Sequence, residues 1–415
     1  MRLTCLILFL ALGSSDSLAA AAALRSETES PWSMEVIPSP AMGSARLPNV
    51  TDGADGKLYL TWAEDRADLT VLLFSTLGED GWEEPHEFAR SDHFFLNWAD
   101  FPGLVADHEG HLLAYWLLRD GTRHGYTAQI SLSSDAGLTW SPTQRLHEDK
   151  TSGEHGFVSV VPARTGGFLA VWLDGRNITP GEDGHGTGSM ALYSRKILTT
   201  GTLGAERVID ERVCDCCQTT LAAHPGEDPL VAYRDRDQEE VRDISIARLT
   251  SEGWSQPMPL HQDGWLIAGC PVNGPQLALT DSHQFVAWFT GAGEGGGSVY
   301  AGTALKGQLG FGFPIHIDAG SPVGRVDIAA LGAGYALVTW LEHTEASSGE
   351  WRAQVVAAGK RIGDPLALSS ITTERSSGFL RMAPVSGGVV VAWTVPGKPS
   401  SIETARVLVR VPDGK

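Results

Sequence analysis

The chain has 415 residues, enough for one large domain or for up to three ordinary ones. It is 42% hydrophobic and 20% charged, with 48 glycines and 13 tryptophans, which suits an all-β protein with many turns. The net charge of −19 excludes nucleic acid as the main partner, because phosphate binding needs a basic face.

The first element is a leader. Arg2 precedes the apolar run Leu3 to Leu12, and small residues, GSSDSLAAAAA, follow. This pattern predicts a signal peptide over residues 1–23, and the run is too short to span a bilayer. Residues 24–415 are then expected to form a secreted or periplasmic protein with no stable membrane anchor. Cys5 leaves with the leader, so Cys214, Cys216, Cys217 and Cys270 remain.

Residues 32–40, WSMEVIPSP, read as an isolated strand. Beyond them one unit recurs. An apolar strand ends in an aromatic residue and then in a polar exit: LYLTWAEDR at 58–66, LLAYWLLRD at 112–120, FLAVWLDGR at 168–176 and LVAYRDRD at 230–237. The series continues with FVAWFTG at 285–291, ALVTWLEH at 336–343 and VVVAWTV at 389–395. The markers Trp62, Trp116, Trp172, Tyr233, Trp288, Trp340 and Trp393 are 52 to 61 residues apart, the period of a four-stranded propeller blade. Each unit also has a strand before the marker strand, one after it, and a closing GW..P segment or its remnant. The seventh unit lacks that last strand. Residues 32–40 supply it in a ring that leaves no free edge. The expected fold is a single all-β propeller with seven four-stranded blades, six being the fallback.

SSDAGLTW at 133–140 fits the turn S-x-D-x-G-x-T-W, and ARLPNVTDGADGKLYLTWAEDR spans 45–66. On these motifs the chain resembles the sialidase-like Asp-box (BNR repeat) β-propellers over essentially the whole expected mature length. The resemblance implies a clamp of three arginines on a substrate carboxylate, an aspartate acid/base, and a tyrosine nucleophile paired with a glutamate. Arg46 falls on the first arginine position. No motif places the tyrosine–glutamate pair, and family sialidases are usually six-bladed.

Inner strands line the channel of a propeller, and their first residues gather at one mouth. Counting back from the markers puts Arg46, Asp100, His155, Cys217 with Cys214 and Cys216, Cys270, Arg325 with Asp327, and Arg381 there. The marker strands end at the same mouth in Asp65, Arg234 and Arg236. Arg46, Asp100, Arg325 and Arg381 are the candidate catalytic residues, with Asp100 as acid/base. His155, Arg234, Arg236, Asp65 and Asp327 are candidate ligand contacts, and charges of this kind also serve as ion pairs that stiffen a ring.

Three readings attach to the cysteines. In an oxidising compartment disulfides are expected, with 214–217 and 216–270 the preferred pairing. The alternatives are a copper or zinc site that includes His155, and a redox pair. Three functions follow: a sialidase-like hydrolase acting on an anionic glycan, a non-catalytic propeller binding a glycan or protein, and a Cys/His metal or redox protein. The expected partner is an anionic glycan or other small anion, with no cofactor in the first two cases, and the expected state is a monomer.

Overall fold

The computed structural model describes residues 32–411, apart from 123–124, 180–186, 225–226, 294, 319, 333 and 346. The expected signal peptide lies outside the described residues. Seven antiparallel sheets form, and the first six run outward in chain order from an inner to an outer strand. Blade 1 consists of Ser44–Asp52, Leu58–Arg66, Leu69–Thr76 and His86–Ser91. The inner strands of blades 2 to 6 are Gly103–Ala106, His155–Pro162, Thr220–Ala222, Gln276–Leu279 and Pro322–Gly332. Blade 7 is made of Arg381–Val385, Gly388–Val395 and Ser401–Val409, and its fourth strand is Trp32–Ile37. That strand pairs antiparallel with the last one, from Trp32↔Val409 to Ile37↔Thr404. The ring therefore has seven blades and is closed by the N-terminal strand, as the repeat predicts. Among the described residues the only helix is the single 3₁₀ turn Arg375–Ser377.

The repeat has a physical basis. All seven markers are buried between blades. A buried indole must place its N–H. On a strand, residue i+2 returns to the same face. Trp62 donates to Glu64 at 3.2 Å, Trp172 to Asp174 at 2.8 Å and Trp340 to Glu342 at 2.5 Å. These acidic exits are thus partners of the core.

One register is kept all the way round. The residue before each marker pairs with one inner-strand residue, giving Asn49, Gly103, Ser159, Thr220, Gln276, Asp327 and Arg381 as a ring at one height. Just above it, three inner strands carry the same bulge, between Arg46 and Asn49, Gly156 and Ser159, and Gly324 and Asp327. The second residue of each bulge is left-handed: Leu47 at φ 59°, Phe157 at 51° and Arg325 at 54°. Non-glycine residues rarely take this conformation, so the bulge is a built feature that turns the chain inward at the channel mouth.

Candidate functional site

The upper mouth is roofed. Segment 97–101 precedes the inner strand of blade 2, yet it touches blades on the far side of the ring. Trp98 stacks on Phe379 at 5.7 Å, beneath the Arg325 guanidinium at 4.7 Å. The Ala99 carbonyl accepts from Gln218 Nε2 at 2.8 Å, and Gln218 Oε1 accepts the Gly274 N–H at 2.9 Å. One segment meeting blades 4, 6 and 7 must cross the axis. Phe157, Val272 and Cys216 complete the apolar packing around it.

Asp100 hangs from this roof. Its Oδ2 accepts the Phe157 N–H at 2.8 Å. A Cβ on Gly156 would lie 2.2 Å from that oxygen, so only glycine fits there. Burial pushes the carboxyl up to about 7, with nearby Glu154 acting in the same direction and the Phe157 N–H against it. Asp100 is therefore partly protonated near neutrality and suited to proton transfer. Beside it the Tyr126 hydroxyl bonds Glu154, and burial holds that phenol well above its usual range.

Below the roof an axial cavity of about 660 Å³ runs down to His108 and Arg164, which are exposed at the opposite mouth. Its upper part carries the polar ring. Gly103 has no side chain, and Tyr115 from the next strand fills its place: a Cβ there would sit 2.2 Å from the tyrosine hydroxyl. The hydroxyl bonds Asn49, and burial pushes it up to about 12 despite the nearby Arg381 charge. Arg381 donates through Nε to Asn49 Oδ1 at 3.2 Å and places Nη1 3.6 Å from Asp327 Oδ2. Asp327 accepts the Ile328 and Met382 N–H groups, both at 2.9 Å. Arg381 Nη1 itself is buried and makes no hydrogen bond.

The four cysteines meet at the start of blades 4 and 5, as their spacing implies. Cys214 Sγ lies 2.9 Å from Cys217 Sγ, and the Cys216 thiol is in contact with Cys214, Cys217 and Cys270. No disulfide joins them in the structure. Both the preferred pairing and a metal site need this convergence.

His155 belongs to a different group. Its ring stacks on His147 at 3.7 Å with an interplanar angle of 1°. Its Nε2 lies 3.1 Å from Asp149 Oδ2 and 3.5 Å from Asp174 Oδ1. Burial pushes His155 down, but the contacts with Asp174 and Asp149 outweigh it and raise the group. Burial and the His155 charge hold His147 down at about 3. In-plane lone pairs of two parallel rings do not converge, so this pair cannot share one metal ion in the stacked arrangement.

The remaining expected site residues are dispersed. Arg46 is paired with Asp65, which also accepts from Thr70 Oγ1 at 2.9 Å. Arg325 is a strut: it donates to Ser377 Oγ at 2.7 Å and to the carbonyls of Thr373, Glu374 and Gly378. Burial, with Arg375 nearby, lowers its guanidinium to about 10. Arg236 bridges Asp215 at 3.1 Å and Glu240 at 2.7 Å. Arg46, Arg325 and Arg381 have different partners: Asp65 for the first, the 373–378 segment for the second, and Asn49 with Asp327 for the third. Sequence reasoning missed Tyr115, Tyr126, Glu154 and His147. For Tyr115 a signal existed, because a glycine in a channel register leaves space for a neighbour.

No family model matches the sequence, and no curated protein matches it. Solved structures do share the fold. A Burkholderia pseudomallei lectin superposes with a TM-score of 0.56 at 10% identity, covering 89% of this chain and 97% of that one. A polysaccharide lyase described as an ulvan lyase gives 0.53 at 10%, covering 91% and 94%. A leech intramolecular trans-sialidase gives 0.45 at 9%, covering 90% of each chain. At such identities the likeness is one of fold.

Proposed function

We propose that the protein is a glycan-acting propeller that takes an acidic sugar into the axial cavity. The observation that carries this reading is Arg381, which lines the cavity with Tyr115, Asn49, Ser159, Thr220 and Gln276; its Nη1 makes no hydrogen bond, and its carboxylate neighbour Asp327 lies 3.6 Å away. Amide and hydroxyl side chains around one guanidinium match a polyol that bears a carboxylate. A cavity of about 660 Å³ has room for one or two sugar rings. The sugar-related proteins that share the fold add support by analogy only.

Hydrolysis of sialosides is the narrower reading. Asp100, which lines the cavity and is pushed up to about 7, favours it as the acid; Tyr126 and Glu154 lie outside the cavity lining. Export and a monomeric state belong to the same proposal and rest on the sequence.

Calorimetric titration of the purified chain with glucuronate, sialyllactose and neutral oligosaccharides tests the binding. We expect acidic sugars to bind and Arg381→Gln to weaken them by about 10- to 100-fold, the loss of one charge-assisted contact. No heat from any acidic sugar sinks the reading. A 4-methylumbelliferyl sialoside tests cleavage separately, with loss of turnover in Asp100→Asn as the expected signature.

A further inference from the structure

Arg234 poses a charge problem that the sugar reading does not touch. Its guanidinium belongs to a residue only 1% exposed. It donates to three backbone carbonyls, those of Asn273 at 2.9 Å, Arg242 at 2.6 Å and Phe289 at 2.6 Å, and it lies 4.7 Å from the Trp265 ring. Among the described residues none of these partners is a carboxylate. Carbonyls satisfy its donors but not its charge, and a buried cation needs an anion close by. A second buried guanidinium, Arg242, places Nη1 3.5 Å from Cys214 Sγ. Its other nearby anions are Glu240 at 2.8 Å and Asp215 at 4.0 Å.

The sulfurs themselves converge. Those of Cys214, Cys216 and Cys217 all lie within 4.8 Å of one another, and Cys270 reaches Cys216 from the neighbouring blade. The Cys214 N–H is tied to the Arg234 carbonyl at 3.0 Å, which fixes the thiol against the arginine strand. Three ligands from one short loop and a fourth from another are held by a rigid ring.

We propose that Cys214, Cys216, Cys217 and Cys270 form a thiolate site for one thiophilic d¹⁰ ion, zinc(II) or copper(I). Charge separates this from the disulfide alternative. Two disulfides would be neutral and would leave the Arg242 guanidinium, 3.5 Å from Cys214 Sγ, facing uncharged sulfur. A zinc ion with four thiolates carries a net charge of about −2, which the Arg242 guanidinium beside Cys214 partly offsets. Each thiol that ligates gives up its proton to solvent, so binding strengthens as pH rises. His155 is outside the site, because its Nε2 faces Asp149 and Asp174. The inference is independent of the sugar reading: the ion sits among the loops at the upper mouth, and the sugar lies in the channel below them.

The full chain, purified with reductant, is loaded with zinc(II) or with copper(I), desalted, and assayed for metal by mass spectrometry and for thiols by alkylation. We expect about one ion per chain and protection of the four thiols. Cys216→Ser should weaken binding by about 100-fold or more, because it removes the sulfur that touches the other three. Should that variant fail to fold, Cys270→Ser at an exposed position serves instead. It should cost zinc(II), which wants four ligands, about tenfold or more, and copper(I), which is content with fewer sulfurs, markedly less. Reduced protein that keeps its β-sheet circular dichroism, retains neither ion and alkylates at all four thiols would overturn the proposal. So would protein isolated about 4 Da light, with 214–217 and 216–270 bridged, whose reduced form binds no metal.

Discussion

The same inner strands behave differently above and below the bulge. Below it, the residues from Asn49 round to Arg381 keep one register in all seven blades and line a polar channel. Above it, the register breaks at Leu47, Phe157 and Arg325, and the chain folds inward into an apolar roof beside the cysteines. Regular pairing repeats a position, so it yields a ring of like-placed groups. Bulges and crossing loops make each blade different, and groups such as Asp100 or Cys214 appear only once.

The largest effect tests what both halves depend on. Deleting residues 32–37 removes the outer strand of blade 7 and exposes the edge of Ser401–Val409. We expect aggregation or loss of the cooperative melt, and a deletion variant that melts like the parent would break the closure. Next comes the roof. Phe379 is 4% exposed and packs on Trp98 and Phe101, so Phe379→Ala should cost about 3–5 kcal/mol in urea unfolding. A cost below about 1 kcal/mol would mean that the roof is loosely held.

The third prediction uses pH. Asp100 is pushed from 3.8 to about 7, so between those values the folded state holds a proton that the unfolded state has lost. Stability from this group is present below 3.8 and is lost as pH rises through 7, a total of about 4 kcal/mol. Asp100→Asn keeps an acceptor for the Phe157 N–H and carries no charge. It should therefore be the more stable protein at pH 8 and differ little at pH 3.5, as read from melting temperatures at the two pH values. A variant destabilised equally at both would show that Asp100 is not a strained buried acid. The smallest effect lies below the bulge. Gly103→Ala drives a methyl to 2.2 Å from the Tyr115 hydroxyl. We expect a loss of about 1–3 kcal/mol and weaker sugar binding, since the ring at Tyr115 must shift.

What the sequence revealed follows the same division. The markers and the acidic exits recur at the blade period and the strand at 32–40 is the one left over, so the blade count and the closure could be read. Cys214, Cys216, Cys217 and Cys270 were placed together because counting back from the markers needs only the regular part of each blade. Counting failed where regularity stops. Asp100 holds its expected height, yet it lies in a segment that crosses the axis, ahead of an inner strand that begins at Gly103. Arg325 is a candidate catalytic residue by its height, but its left-handed backbone carries a side chain that donates to the carbonyls of Thr373, Glu374 and Gly378. His155 was linked to the cysteines by height alone, and its contact with His147 depends on the path of a loop. Tyr115 went unnoticed because it lies on the second strand, and only the missing side chain at Gly103 lets it reach the channel.

The closing strand also sets an order in time. Among the strands of the ring a ribosome makes Trp32–Ile37 before the others and its partner, Ser401–Val409, after them. Blades 1 to 6 are each continuous in sequence and can pair as they emerge, whereas the final blade must wait for Ser401–Val409. Until then the earliest strand stays unpaired, with Met34 and Val36 uncovered even in the finished fold. Completion is thus the contact of greatest sequence separation among the paired strands, the kind that costs most chain entropy to close. A truncated product, however well its individual blades form, remains an open arc with a strand edge free to recruit another copy.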